Sequence, residues 1–195
     1  MADGRWDALD RQLAAHQPAD EKEAGDVRLV RAFLAAHPED AHLRKKLEGH
    51  LTGSAFVLDA TLTQLLLLHH DRLDRWLQPG GHGEGELEPR AIACRELAEE
   101  TGLGPADVTP FPDRRILDVD VHRIPASAKR AEPEHLHLDL RYGFIARAGS
   151  VVRVSAESRA LEWVALDRLD ETFAADPSVQ RAARKLRALI AARRR

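Results

Sequence analysis

The stretch from Gly80 to Leu103 constrains the fold of this 195-residue chain more than any other, because it predicts a glycine-rich loop leading directly into a helix. Four glycines fall within six residues at its start, and glycine tolerates the positive φ angles of a loop that closely surrounds another group. Pro89 suits the first helical turn, and Gly102 suits a left-handed cap at the end. We therefore predict a helix over residues 89–101.

Three glutamates share one face of this predicted helix. Glu96, Glu99 and Glu100 are spaced i, i+3 and i+4, whereas the small and apolar residues fall mainly on the other face. Like charges at these spacings destabilise a helix by roughly 0.2–0.5 kcal/mol per pair, so a cation is expected beside them. Carboxylates next to backbone carbonyls suit a hard divalent ion such as Mg²⁺. The spacing alone leaves a second interpretation open, a solvated acidic face paired with Arg90 and Arg95.

The nine residues from Arg95 to Leu103, RELAEETGL, resemble the second half of the Nudix box, R-E-U-x-E-E-x-G-U with U bulky and apolar, at every fixed position. The first half departs from the pattern: Gly81 is present, but Leu87 stands where a glutamate is expected, between two neighbouring glutamates. In the family that glutamate helps to brace the loop, so the departure concerns loop geometry more than chemistry. The loop from Gly80 to Glu86 is similar to the G-G-H-x-[DE]-G-[DE] loop of a bacterial Nudix subgroup.

This resemblance implies a fold and a metal site. The implied fold is α/β, a Nudix-type α/β/α sandwich with a mixed sheet between helices, plus an N-terminal helical segment. The implied ligands of Mg²⁺ or Mn²⁺ are Glu96, Glu99 and Glu100, together with the main-chain carbonyl of Gly80.

The resemblance also implies catalytic roles. Arg95 would orient the carboxylates, including that of Glu100, and either Glu96 or Glu157 would deprotonate the attacking water. Glu157 is a candidate base because it precedes a W-V-x-L-D segment. The competing interpretation is that Glu157 is an ordinary exposed glutamate in a loop. The implied reaction splits a diphosphate linkage in a nucleoside diphosphate linked to a group X, giving a nucleoside monophosphate and phosphorylated X. A ligand-sensing Nudix domain without turnover and an RNA 5′-end hydrolase are the alternatives.

Two predicted strands carry polar residues in series on one face. Between apolar neighbours, the strand over 116–122 carries Asp118, Asp120 and His122, and the strand over 135–142 carries His135, His137, Asp139 and Arg141. An ordinary solvent-facing strand favours Thr, Lys or Glu, so this series suggests a wall that meets ligand or metal. We predict substrate contacts for the second series together with His82 of the glycine loop. A surface or buried polar network is the alternative.

The rest of the chain frames this centre. Residues 1–48 predict an N-terminal helical segment: one helix near the start, a second capped by Asp20 and a short third over 41–47. The period then changes to strands, and we predict a Nudix domain over 49–175 followed by a C-terminal helix over 176–195 packed on it. Its strands are expected at 51–58, 63–69, 76–78, 143–148 and 162–166, with a loop from 104 to 113.

Composition limits the partners. The net charge of −3 and the pI of about 6.4 give no overall attraction to nucleic acid or to an anionic membrane, although the C-terminal helix is locally basic. The single cysteine, Cys94, excludes an intramolecular disulfide and fits a reducing compartment, and no signal-peptide or membrane-spanning run is present. We expect a cytoplasmic protein that acts on a small diphosphate, with neither membrane nor nucleic-acid partner. A homodimer through the N-terminal helices stays open.

Overall fold

The computed structural model describes residues 4–71, 74–127, 132–155, 158–169 and 176–193. Within these residues the chain forms four helices and eight strands. In chain order they are α1 (Asp7–Ala15), α2 (Glu21–Ala36), β1 (Gly49–Leu58), β2 (Gln64–His70), β3 (Arg75–Leu77), β4 (Gly80–His82), α3 (Pro89–Thr101), β5 (Val108–Pro110), β6 (Ile116–Ile124), β7 (His135–Ala146), β8 (Ser158–Ala165) and α4 (Pro177–Arg193). The predicted helix over 89–101 is confirmed, and Gly102 caps it with a left-handed φ of 76°.

The eight strands form one mixed sheet whose centre is the pair β1 and β7. These two strands run parallel and stay in register from Gly49 opposite Leu136 to Leu58 opposite Ile145. Beyond β1 lie β4 and β2, β2 also pairs with β3 and β8, and beyond β7 lie β5 and β6. These remaining pairings are antiparallel. All ten residues of β1 are buried, as expected for a strand covered on both faces.

Helices cover both faces of the sheet, which confirms the predicted α/β/α arrangement. On one face, apolar residues of α1, α2 and α3 share a core with Leu51, Ala55 and Val57 of β1. On the other face, α4 packs against a core that contains Phe56 and Leu58. The side chains of β1 therefore alternate between two cores, as the two-residue period of a strand requires.

Helix α3 approaches β1 so closely at Gly53 that no side chain fits there. A Cβ at this position would overlap the Pro89 carbonyl oxygen and would lie 2.9 Å from the Ala93 nitrogen. Ile92, Ala93 and Leu97 of α3 have no exposed surface. The backbone of α3 therefore lies directly on the backbone of β1, and this contact sets the position of the helix.

A buried ion network ties α4 to the sheet. Arg181 of α4 donates to both carboxylate oxygens of Asp118 on β6, each over 2.8 Å. Arg141 of β7 donates to Asp118 over 3.2 Å and to Asp139 over 2.9 Å. These four side chains are at most 4% exposed, and removing one partner from such a buried pair costs roughly 3–5 kcal/mol.

Two carboxylates of α2 satisfy outward-pointing N–H groups of β6. The Val119 N–H donates to Glu23 over 3.1 Å, and the Val121 N–H donates to Asp26 over 3.1 Å. Glu23 is completely buried and also lies 2.5 Å from the ammonium group of Lys185 on α4. The N-terminal helices therefore pack as part of the same unit as the sheet. The domain divisions after residues 48 and 175 stay predictions.

The predicted short third helix over residues 41–47 is wrong, because this segment forms turns. The Lys46 N–H donates to the Leu43 carbonyl three residues earlier, which is a turn rather than an α-helical bond. The Ala41 carbonyl instead accepts a hydrogen bond from the Leu51 N–H at the start of β1. The Ala41 carbonyl is therefore bonded to the sheet and does not accept a helical hydrogen bond.

The strand predicted separately over 143–148 continues β7 as far as Ala146. Gly143 permits this because any Cβ there would overlap the Phe111 carbonyl oxygen, while the Phe111 N–H donates to the Gly143 carbonyl over 2.9 Å. The predicted loop over 104–113 accordingly contains β5, which pairs with the end of β7.

We expect Gly53→Ala to lower the free energy of unfolding by roughly 1–3 kcal/mol, because the added methyl group would force α3 away from β1. Gly25→Ala is the matched control, since a Cβ at Gly25 within α2 would meet Arg28 at an ordinary 3.8 Å. That control should be neutral or stabilising by up to ~1 kcal/mol. Urea unfolding followed by circular dichroism measures both variants, and equal losses would contradict the close approach at Gly53.

We expect the stabilisation from Glu23 to depend on pH. Burial raises the pKa of Glu23, but hydrogen bonds from His16 and Lys185 lower it by more, to about 2 from 4.5. The charged carboxylate therefore stabilises the fold fully above about pH 4.5, and this contribution of roughly 3 kcal/mol is lost as the pH falls toward 2.

The measurement is the difference in unfolding free energy between the wild type and Glu23→Gln. It should be largest near neutral pH and should shrink between about pH 5 and pH 3, because Glu23 takes up a proton in the unfolded wild-type chain while it stays charged in the folded one. Glu21→Gln, at an exposed position of the same helix, is the control and should change the free energy of unfolding only slightly. A large difference for Glu23→Gln that stays constant over this range would contradict the lowered pKa.

Candidate active site

The acidic face of α3 lies against the backbone of β4. The Gly80 N–H donates to an oxygen of Glu100 over 2.9 Å. A Cβ on Gly81 would overlap the carboxylate of Glu96, whose Oε2 lies 2.9 Å from that position. Two of the predicted metal-binding carboxylates therefore converge on glycine backbone that carries no side chain.

Arg95 connects the remaining glutamate and the loop to this face. Its guanidinium donates to Glu99 over 2.8 Å and lies 3.2 Å from Glu96. It also donates to Glu86 over 2.7 Å and to the His82 carbonyl over 2.5 Å. Burial lowers the pKa of Arg95, but its contacts with the three glutamates raise the pKa by more, so the group stays charged. A fixed cation among the carboxylates limits their repulsion and holds them in defined positions.

Glu86 makes the bracing contact that the box pattern expects from position 87. One of its oxygens accepts the hydrogen bond from Arg95, and the other accepts from the Glu84 N–H over 2.6 Å. Leu87 is 43% exposed. Burial raises the pKa of Glu86, but the hydrogen bond and charge of Arg95, together with the backbone hydrogen bonds of Glu84 and Glu86, lower it by more. The brace is therefore shifted by one residue, and the loop remains attached to the helix.

The three histidines predicted to bind substrate, His82, His135 and His137, project from the face of the sheet opposite Glu96. A fourth histidine, His50, lies beside them on that face. His82 follows Gly81 on β4 and so points to the other side, where its Nε2 lies 3.1 Å from that of His137. The ring of His50 lies 5.0–5.2 Å from the rings of His82, His135 and His137. The sequence pattern does not single out His50, because its place beside His137 depends on the parallel pairing of β1 with β7.

Asp139 and Arg141, also predicted to bind substrate, are each 2% exposed. Besides the bond from Arg141, the Asp139 carboxylate accepts hydrogen bonds from Ser54 over 2.8 Å and from Thr52 over 3.1 Å. For these two residues the contacts correspond to the buried polar network, the alternative interpretation of the alternating strands. Contact of Asp139 and Arg141 with substrate stays a prediction.

Of the two candidate bases, only Glu96 lies within the described part of the chain. Glu157 lies outside the described residues. Glu96 has 16% of its side chain exposed, whereas its neighbour Glu99 has 55% exposed. Glu96 is therefore the more sheltered of these two box carboxylates, and it retains access to solvent.

Several basic residues of α4 are engaged inside the molecule. Arg181 is 3% exposed within the ion network, and Lys185 donates to Glu23 over 2.5 Å. Arg187 donates to the Leu166 carbonyl over 2.6 Å. The helix therefore offers fewer cations to a polyanion than its sequence alone indicates, which weakens the RNA alternative.

A helix with a glutamate face, entered through a glycine loop and packed on a mixed sheet between helices, defines a Nudix-type hydrolase fold. The family model described as NUDIX domain matches residues 50–188. The match spans more than half of the chain, so this chain belongs to the Nudix family, as the box residues predicted.

Among curated proteins, the chain is similar to the probable DHNTP pyrophosphohydrolase of Lactococcus lactis subsp. cremoris, with 29% identity over 115 residues. The alignment covers 59% of this chain and 66% of that relative, slightly less than two thirds of its length. The name of this relative gives the same enzyme class as the one predicted from sequence, a pyrophosphohydrolase.

Solved structures share the fold. A C. elegans Ap4A hydrolase in a binary complex aligns with a TM-score of 0.58 at 19% identity, over 73% of this chain and 98% of that one. A NUDIX-family hydrolase from Clostridium perfringens aligns at 0.52 with 23% identity, over 72% and 97% of the two chains. The NUDIX domain of Shewanella oneidensis NrtR, complexed with ADP ribose, aligns at 0.52 with 15% identity, over 80% and 97%. At these identities the likeness shows the fold alone.

We expect Glu86→Gln to loosen the glycine loop, because both oxygens of this carboxylate hold the loop in place. Amide hydrogen exchange over residues 80–88 should become roughly fivefold faster, which corresponds to about 1 kcal/mol of lost local stability. Glu88→Gln is the control, since Glu88 pairs at the surface with Arg90 at 3.3 Å and should leave the exchange unchanged. Equal protection in both variants would mean that Glu86 is not the brace.

Proposed function

We propose that this chain hydrolyses a diphosphate linkage with the help of a divalent metal ion. The substrate is a nucleoside diphosphate linked to another group X, and the products are a nucleoside monophosphate and phosphorylated X. The observation that carries this proposal is the convergence of the Glu96 and Glu100 carboxylates on the backbone of Gly80 and Gly81, with Arg95 held among the acidic groups.

The residues at this point of the fold fit Mg²⁺ or Mn²⁺. Hard ions of this kind prefer oxygen, and the proposed ligands are Glu96, Glu99, Glu100 and the Gly80 carbonyl. Glycine at position 81 keeps side-chain atoms away from the Glu96 carboxylate, where a Cβ would overlap it. When bound, the ion supplies positive charge that offsets the negative charge of the diphosphate oxygens.

The chain's own residues supply positioning and proton transfer in this proposal. Arg95 keeps Glu96 and Glu99 in place through contacts of 3.2 and 2.8 Å. Glu96 then accepts a proton from the attacking water, since it is sheltered yet reachable from solvent. Glu157 is the alternative base, for which the support is the resemblance alone.

The base and the group X of the substrate are chosen by other parts of the fold. We propose that the face carrying His82, His135 and His137 borders the substrate, because it adjoins the same short strand β4 as the glutamates. The names of similar proteins supply the compounds to test first: DHNTP, Ap4A and ADP-ribose.

We expect Glu96→Gln and Glu100→Gln to lose turnover by at least ~100-fold on any compound of this panel that the wild type cleaves. Each substitution keeps the size of the side chain but removes the charge that the proton transfer or the metal requires. Product-resolved chromatography with Mg²⁺ and with Mn²⁺ measures the effect. Glu162→Gln, an exposed glutamate of β8, is the control and should retain wild-type activity.

The outcomes separate the candidate functions. Full activity in both Glu96→Gln and Glu100→Gln would contradict the hydrolase site. Binding of a panel compound without any product, in the wild type with either metal, would favour the sensing domain instead.

Two broader predictions stay proposals. A cytoplasmic location is supported by the presence of a single cysteine, Cys94. Separately, no helix within the described residues combines the length and apolar character needed to cross a bilayer. A homodimer through the N-terminal helices stays a prediction.

A further inference from the structure

Four imidazole side chains from three strands meet on the sheet face opposite α3. The candidate ligand atoms of His50, His135 and His137 all lie within 4.8 Å of one another. The fourth ring, His82, stands 4.7 Å from the ring of His137, and their Nε2 atoms are 3.1 Å apart. We call His50, His82, His135 and His137 the imidazole cluster.

Strand register brings the imidazole cluster together. In the parallel pairing of β1 with β7, His50 lies opposite His137, and His135 lies two residues earlier on the same face as His137. In the antiparallel pairing of β1 with β4, His82 lies opposite Thr52, which shares a face with His50. The four rings therefore project from one face because of backbone pairing, whatever occupies the space between them.

His50 is a buried polar group without a partner. It is 1% exposed, and neither of its ring nitrogens reaches hydrogen-bond geometry with any described group. A neutral histidine ring in this position keeps a lone pair on one nitrogen, which is the form that binds a metal.

A second ring of the cluster has a defined tautomer. The Nδ1 of His135 lies 2.8 Å from the Pro133 carbonyl, which can only accept a hydrogen bond, so Nδ1 carries the proton. The lone pair of His135 is then on Nε2. Ligating histidines usually donate their other N–H to a carbonyl or carboxylate in this way.

We propose that His50, His135 and His137 bind a borderline divalent transition-metal ion of the Zn²⁺ type, with His82 beside the fourth coordination position. Imidazole nitrogen suits zinc and its neighbours in the first transition row, whereas Mg²⁺ requires oxygen. This site is therefore chemically distinct from the carboxylates of α3. The inference rests on β1, β4 and β7 and stands whether or not the chain is a hydrolase.

The geometry needs a modest adjustment. Two nitrogens on one tetrahedral zinc, each ~2.0–2.1 Å from the ion, lie roughly 3.3 Å apart. The Nε2 atoms of His82 and His137 are 3.1 Å apart, and the candidate ligand atoms of His50, His135 and His137 would have to move closer together than their present limit of 4.8 Å. An ion there links β1 to β7 on one face of the sheet, beside His82 of β4, whose carbonyl accepts a hydrogen bond from Arg95 of α3.

The test uses the full chain, purified without a metal-affinity tag and stripped with a chelator. Titration with Zn²⁺ alone, followed by equilibrium dialysis and elemental analysis, should give one tightly bound equivalent. Addition of Co²⁺ in its place should give the visible absorption of a tetrahedral nitrogen site. His135→Ala should weaken the affinity for Zn²⁺ by more than the roughly 10–100-fold that loss of an outer partner costs.

Two further variants assign the bound ion to its site. His70→Gln, on β2 outside the cluster, is the matched control and should bind Zn²⁺ as the wild type does. The double variant Glu96→Gln with Glu100→Gln should also keep its equivalent of Zn²⁺ and the Co²⁺ spectrum. If His135→Ala folds poorly by circular dichroism, His82→Ala replaces it and should alter the Co²⁺ spectrum.

Three results would overturn the proposal. They are the absence of stoichiometric Zn²⁺ in the wild type, retention of wild-type affinity in His135→Ala, and loss of the bound Zn²⁺ in the glutamate double variant. A rise in melting temperature with Zn²⁺ in the wild type, absent from His135→Ala, would support it independently, because a ligand that binds the folded state stabilises that state.

Discussion

The absence of a side chain at Gly53 is the constraint on which the site depends. Because the backbone of α3 lies directly on β1 there, the helix has one position relative to the sheet, and its glutamate face meets β4. Gly80 and Gly81 repeat the same device one strand away: Ser54 Cα lies 2.8 Å from a Cβ placed on Gly80, and Glu96 occupies the corresponding space at Gly81. Glycine at these three positions therefore allows the helix and the loop to pack closely enough to bring the carboxylates together.

Charge is distributed over the two faces of the sheet in different ways. On the α3 face, Arg95 joins acidic groups that remain in reach of solvent, as a site that accepts a charged ligand requires. At β6, Arg141 and Arg181 surround Asp118 in the interior, where breaking a pair is costly but forming one adds little net stability. We interpret the interior network as fixing the position of α4, and the Arg95 group as fixing the positions of the proposed metal-binding side chains.

Local signals predicted most of the fold, and pairings between distant residues account for what they missed. Proline, glycine and the helical period placed α3 correctly at both ends, and the alternation of apolar residues located β6 and the start of β7. The brace from Glu86 and the place of His50 could not be predicted, because one depends on how the loop folds back and the other on which strand lies beside β7. The short helix over 41–47 failed because β1 competes for its backbone groups.

The carboxylates that α2 places along β6 have a consequence for the solubility of the whole molecule. A strand at the margin of a sheet displays unpaired amides that can recruit a strand from another copy, the first step of many aggregation reactions. Here β6 pairs with β7 on one side, and on the other side Glu23 and Asp26 occupy the amides of Val119 and Val121. Helix α2 thus blocks the addition of a strand from another molecule. A chain without α2 would be prone to self-association even if the proposed active site were intact.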